Sequence, residues 1–315
     1  MYIAILVLLG VISIAVFISY ITFRMIFLHP KNKNIDIYKG LYGEQTKEKI
    51  ESRAAIKRLD EAPYEKISVT SRDNKTLSAR YYHKSDTSPV VIAFHGYKSA
   101  GVRDMARISI ELETLGYNLI LADHRSHRDS DGRAITFGAK EKYDVLSWID
   151  YAKTRFDAPK IYLYGISMGA SSVLMASELI TDECVYGIIA DCPYSSPSAI
   201  IRHVIGCRRL SPTLLMPFVR LGGILFAGLD IEKHSVVEAV KCSRVPILLI
   251  HGDGDTFVPP AMSEEIYLSG KNESKDITLI KIPEATHTLS IMFDKDTYVR
   301  EFTSFIKRTT EKKEH

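Results

Sequence analysis

The chain has 315 residues, 46% of them hydrophobic and 25% charged, with Lys+Arg 41 against Asp+Glu 38 for a net charge of +3. That balance excludes a disordered chain, and so weak a charge, with no run of five like residues, gives a nucleic-acid binder no footing. Cys184, Cys192, Cys207 and Cys242 form neither a CxxC pair nor a zinc-spaced Cys/His cluster, which argues against a disulfide scaffold or a structural zinc site.

Residues 1–23 contain no Asp, Glu, Lys or Arg. As a helix they would be about 35 Å long, enough to cross a hydrocarbon core of roughly 30 Å. No basic residue precedes the run, and it ends in Tyr20-Ile21-Thr22-Phe23-Arg24 rather than a small-x-small cleavage site. The pattern is therefore that of a retained single-pass anchor, residues 1–28, and not of a cleaved signal peptide. Arg24, Lys31, Lys33 and Lys39 follow the span, with Asp36 the one acid among them, which favours a cytoplasmic catalytic domain. Long domains are also translocated against such a bias, so both sides stay open. Lys31 and Lys33, with Lys312 and Lys313 at the tail, read as solvated charges or headgroup contacts.

Residues 29–63 read as a juxtamembrane connector, broken early by Pro30, Gly40 and Gly43. Within it, residues 44–60 predict a charged helix whose Ile50, Ala54 and Arg58 form the stripe resting on the domain. The third segment, 64–315, begins with an antiparallel hairpin turning at Arg72–Lys75. Buried strands at 90–94, 118–122, 161–164, 187–190, 247–250 and 277–282 then alternate with helices at 102–115, 139–156, 168–180 and about 294–309. Such alternation predicts an α/β fold, a mostly parallel sheet with helices on both faces. Residues 195–243 interrupt it with short apolar helical pieces divided by Pro197, Pro212, Pro217 and Gly222-Gly223. They are expected to form a cap, because ligands in open α/β sheets bind beyond the carboxyl ends of the strands.

The chemistry concentrates at those strand ends. Tyr164-Gly165-Ile166-Ser167-Met168-Gly169 is a G-x-S-x-G between a buried strand and a helix, the strand–turn–helix setting this pentapeptide requires. A serine hydroxyl needs a base, and the base an orienting acid. The strand at 247–250 runs into His251-Gly252-Asp253-Gly254-Asp255, and the next strand is followed by His287. Ser167, an aspartate (Asp253 or Asp255) and His287 each follow a different strand, which is how a parallel sheet gathers distant residues at one edge. For a developing oxyanion, the backbone N–H groups of Met168 and Tyr97 are the candidate donors. His95 reads as a brace of the Phe94-His95-Gly96-Tyr97 loop.

Taken together, these motifs resemble the α/β-hydrolase superfamily, in particular its bacterial esterase/lipase-like and serine-aminopeptidase-like members. The likeness covers about residues 64–310. It implies that Asp255, followed by Thr256-Phe257-Val258-Pro259, is the acid, that 195–243 is a cap inserted between two late strands, and that no cofactor or metal is needed. Arg128 stands where such members usually carry glycine, so the loop after the second buried strand is expected to differ. The expected activity is hydrolysis of carboxylic esters, acyl or lipid-like, through an acyl-enzyme. A peptidase, amidase or thioesterase on the same triad is the alternative, and a non-catalytic binding protein the third reading. The expected partners are a small-molecule or lipid ester and the membrane, not nucleic acid.

Overall fold

Runs such as Val90–Phe94, all five residues buried, are the sequence of a strand covered on both faces. Alternation splits them between two cores: Val90, Ile92 and Phe94 face one layer of helices, Val91 and Ala93 the other. A computed structural model describes residues 1–29, 35–42, 46–157 and 159–314. Its strands are β1 (Glu65–Thr70), β2 (Thr76–Tyr82), β3 (Val90–Phe94), β4 (Asn118–Ala122), β5 (Ile161–Ile166), β6 (Val185–Asp191), β7 (Ile247–Gly252) and β8 (Ile277–Ile282). They form one sheet in the order β1-β2-β4-β3-β5-β6-β7-β8, parallel from β4 to β8, with the β1–β2 hairpin antiparallel at one edge. The topology is that of the predicted α/β-hydrolase fold.

The helices are α1 (Tyr2–Ile26), α2 (Lys47–Glu61), α3 (Gly101–Thr114), α4 (Glu141–Arg155), α5 (Met168–Ala176), α6 (Pro197–Cys207), α7 (Pro212–Gly222), α8 (Val236–Lys241), α9 (Pro260–Asn272), α10 (Ser290–Phe293) and α11 (Lys295–Glu314). Buried residues of α2, α3 and α11 share one core, and those of α4, α5, α8 and α9 the other. Between β6 and β7 lie α6, α7, a π-helical turn (Gly223–Ala227), a 3-10 turn and α8, which together fill the stretch expected to be a cap.

Three sequence expectations change. Helix α2 rests on α3 through Ala55, Ile56 and Leu59, one row round from Ile50, Ala54 and Arg58. Arg58 is instead exposed and paired with Glu113. The helix starting at Met168 stops at Ala176 rather than 180. Lys312 and Lys313 stay exposed, as expected, with Lys312 beside the Asp276 carboxylate and Lys313 donating to the Val185 carbonyl. Arg128 meets the glycine-type position by adopting the left-handed conformation itself, φ 45°, with Nε 3.6 Å from Asp123. The breaks read at Pro30 and Gly43, and the charges Lys31 and Lys33, lie outside the described residues.

The end of α1 belongs to the domain. Phe27 is fully buried, and Phe23 nearly so. The Ile135 N–H donates to the Phe27 carbonyl (2.8 Å), the His29 N–H to the Arg133 carbonyl (2.9 Å), and Leu28 bridges Ala134. Residues 2–18 of α1, by contrast, are almost entirely exposed and apolar, and this is the one helix among the described residues that alone is long and apolar enough to cross a membrane.

Candidate active site

Strand β5 ends at Ile166 and α5 begins at Met168, so Ser167 occupies a one-residue corner with φ 55° and ψ −114°. A non-glycine residue is strained there and persists only where the surroundings over-determine it. The flanking glycines supply that determination. A Cβ on Gly165 would lie 2.4 Å from the Gly169 carbonyl carbon, and one on Gly169 would lie 2.0 Å from the Phe94 oxygen. The Ser167 N–H donates to the Asp191 carbonyl of β6 (2.8 Å), which pins the corner from its other side.

From the ends of β7 and β8 come the other two groups. The Ser167 hydroxyl donates to His287 Nε2 at 3.0 Å, and His287 Nδ1–H donates to Asp255 Oδ2 at 2.6 Å. Asp255 is buried, which by itself would raise its pKa. Hydrogen bonds from His251, His287 and the Val258 N–H outweigh the burial and hold the carboxyl well below the usual range. It is therefore an anion at neutral pH, the form that fixes an imidazole tautomer. Asp253 is elsewhere: its Oδ1 accepts the Glu284 N–H and braces the β8–α10 loop. Of the two aspartates the sequence leaves open, geometry joins Asp255 to the histidine.

Met168 is the first residue of α5, a position whose N–H has no partner within the helix. Tyr97 follows Gly96, and a Cβ on Gly96 would be 3.5 Å from Ser167 Cβ, so the two loops are in contact. His95 braces this loop as expected: Nδ1–H donates to the Gly96 carbonyl (2.8 Å) and Nε2 accepts the His124 N–H (3.1 Å). Cys192 brings its sulfur within 4.8 Å of the Asp255 and His287 ligand atoms, a spacing a metal ion could use. Two of those three groups are already joined to each other.

Three contributors escape a sequence reading. Asp104, half-buried at the start of α3, accepts the Gly96 N–H (2.7 Å) and the Ser99 hydroxyl (2.6 Å), fixing the Gly96–Tyr97 turn. Burial raises its pKa against those two bonds. His251 donates to the Val258 carbonyl and stands 3.4 Å from Asp255. The Tyr97 phenol donates to the Ile26 carbonyl in the last turn of α1 (2.7 Å), and its ring stacks on Phe137. No motif marks Asp104 or this phenol. His251 stands inside a quoted motif, but nothing in the spacing shows that it points back at Asp255. Asp129 and Asp131, the acids nearest the β4 loop, are engaged with Lys66 of β1 and the Thr76 N–H of β2, at the opposite edge of the sheet from β7 and β8.

A family model described as serine aminopeptidase, S33, matches residues 85–221. Esterase Pf2001 of Pyrococcus furiosus superposes with a TM-score of 0.68 at 23% identity, covering 89% of this chain and 98% of its own. The chain has the α/β-hydrolase fold and is similar to esterase- and lipase-like proteins of that superfamily. The chain is also 26% identical to the uncharacterized protein YqkD of Bacillus subtilis over 73% of the chain and 76% of that protein. It is 27% identical to the lysophosphatidylserine lipase ABHD12 of Danio rerio over 62% of the chain and 51% of the lipase, so it spans about half the length of that relative.

Proposed function

We propose that this α/β-hydrolase is a serine esterase of acyl or lipid-like carboxylic esters, anchored in a membrane by α1. The reading is carried by one observation: the unbroken hydrogen-bonded chain from the strained Ser167 through His287 to the ionised Asp255. In this mechanism His287 Nε2 takes the hydroxyl proton as Ser167 Oγ attacks the ester carbonyl. The tetrahedral oxyanion is met by the Met168 and Tyr97 N–H groups at the head of α5, where the helix dipole also favours negative charge. His287 then gives the proton to the departing alkoxide, leaving an acyl-Ser167. Water, deprotonated by the same histidine, releases the acid and restores the hydroxyl.

Retention of α1 fits its last turns being built into the core, since removing them would strip Phe23 and Phe27 from it. The ester reading gains support from an esterase and a lipase among the similar proteins. An aminopeptidase needs a carboxylate beside the nucleophile to hold an α-ammonium group, and Asp129 and Asp131 are engaged at the far sheet edge. The test is fluorophosphonate labelling and p-nitrophenyl ester turnover of the full chain in detergent. Ser167→Ala should lose labelling and about six orders of magnitude in kcat while its circular dichroism is unchanged. Retained turnover would overturn the assignment. Labelling without ester turnover would move the substrate to amides.

A further inference from the structure

The apolar helix and the insertion between β6 and β7 are one body. Helix α7 runs back along α1, with the Thr22 hydroxyl 3.2 Å from the Phe218 carbonyl. The two backbones approach so closely at Gly222 that a Cβ there would lie 2.3 Å from the Ser19 oxygen. Small residues at a close helix crossing are the packing that serves within a bilayer, where burial of apolar surface drives nothing. Beyond the crossing, the π turn puts Phe226 edge-on to Tyr20 (5.3 Å) and against Phe23 (5.5 Å). Next to Phe226, Ile224 is 43% exposed and Leu225 51%. Between Phe226 and the α1 residues Ile12, Ser13, Val16, Phe17 and Tyr20 lies an open, mostly apolar groove of about 480 Å³.

All of those α1 residues belong to the stretch without an acid or base, so if α1 crosses a bilayer, the π turn beside them is at hydrocarbon depth. The same end of α1 reaches the candidate active site. Phe23 stacks on Phe27, Phe27 meets Phe137 edge-on, and Phe137 stacks on Tyr97, whose N–H is the proposed oxyanion donor.

We infer that the π turn at Gly223–Ala227 is a collar seated in the leaflet against α1, and that the groove between collar and anchor takes the acyl chain of a lipid ester drawn from that leaflet. The inference rests on the proposed esterase for its chemistry and on α1 as a span for its depth, and it names the substrate class as membrane lipids.

Two measurements on the full chain test it. In the Ser167→Ala background, Leu225→Trp is reconstituted in phosphatidylcholine vesicles brominated along the acyl chains. Leu268→Trp is the control, since Leu268 is as exposed, at 56%, but stands on α9, a helix that packs against α8 and β8. Emission from position 225 should fall about twofold or more and that from 268 should not; equal quenching at both sites overturns the collar. In the active protein, Leu225→Asp should slow turnover of 1-oleoylglycerol in ether-lipid vesicles about tenfold, with p-nitrophenyl acetate turnover within about twofold. An equal loss on both substrates, or none on either, overturns the groove. If the unsubstituted chain hydrolyses neither ester while position 225 is still quenched, the esterase reading fails and the collar stands.

Discussion

Asp104 touches neither the proposed nucleophile nor its base, yet it holds the Gly96 N–H and the Ser99 hydroxyl that shape the turn before Tyr97. Asp104→Ala should therefore lower kcat about 10–100-fold with little change in KM, because a displaced oxyanion donor is lost only in the transition state. Asp104→Asn keeps one acceptor and should recover part of the rate; equal changes in KM and kcat for both variants would refute a positioning role. The acid of the proposed relay gives a sharper contrast. Asp255→Asn removes the anion behind His287 and should cost about three to four orders of magnitude in kcat, whereas Asp253→Asn, which touches only a backbone N–H, should stay within about tenfold. His124 offers a test through pH. Its ring is buried between Phe94 and His95, neither nitrogen has a hydrogen-bond partner among the described residues, and burial pushes its pKa down to about 3. The folded ring is thus neutral, and the unfolded one takes up a proton below about pH 6.5, so this residue's share of stability is present above that value and lost as pH falls towards 3. His124→Phe should stabilise by about 1–2 kcal/mol at pH 7.5, from the removed orphan nitrogens, and by about 1.4 kcal/mol more for each unit below 6.5. Urea denaturation in detergent at pH 7.5 and about one unit below 6.5 reads it, and a gain that does not grow in acid would refute the linkage.

At the scale of elements, the strands were readable because runs such as Val90–Phe94 and Asn118–Ala122 are buried on both faces and have no polar alternative. The three residues of the proposed triad could be picked out for a related reason, since each stands where such a run ends. What stayed hidden depends on rotation or on distant packing. The α2 stripe was displaced because its charged sequence supports two neighbouring rows, and only contact with α3 selects Ala55, Ile56 and Leu59. Asp104 looks like any first-turn acid until Gly96 is seen above it. Glycines show the same division. Gly169→Ala should yield no folded protein, because β3, which carries the Phe94 oxygen 2.0 Å from the new Cβ, is held by β4 and β5 on both sides. Gly206→Ala in α6, whose Cβ would meet nothing closer than 3.9 Å, should instead stabilise by about 0.5–1 kcal/mol. Thermal unfolding of the second and expression of the first separate a glycine demanded by backbone contact from one that is merely present.

For the whole molecule, the sequence drew a boundary after residue 28, because hydropathy changes there. Packing draws it nearer Phe17, since Ser19, Phe23 and Phe27 are buried by the insertion and by the β4–α4 loop. Hydropathy could not show this, as an apolar side chain suits a bilayer and a protein core equally well. The two boundaries predict different truncations. A chain beginning at residue 18 keeps both phenylalanines, the Phe27 carbonyl that receives the Ile135 N–H and the Ile26 carbonyl that receives the Tyr97 phenol. It should fold, lose membrane retention and hydrolyse p-nitrophenyl acetate within about threefold of the full chain. A chain beginning at residue 29 lacks all of these. Each buried phenylalanine removed costs about 3–5 kcal/mol. The pair together therefore approaches the roughly 5–15 kcal/mol by which a whole domain is stable. That shorter chain should aggregate or melt at ambient temperature, which sedimentation and differential scanning fluorimetry of the two truncations will show. Tyr97→Phe in the full chain isolates the smallest part of the same link: it keeps the ring on Phe137 and removes only the bond to Ile26. A several-fold fall in kcat without a change in melting would mean that the last turn of α1 holds the proposed oxyanion loop in place, and equal rates would confine α1's role in the domain to its packing.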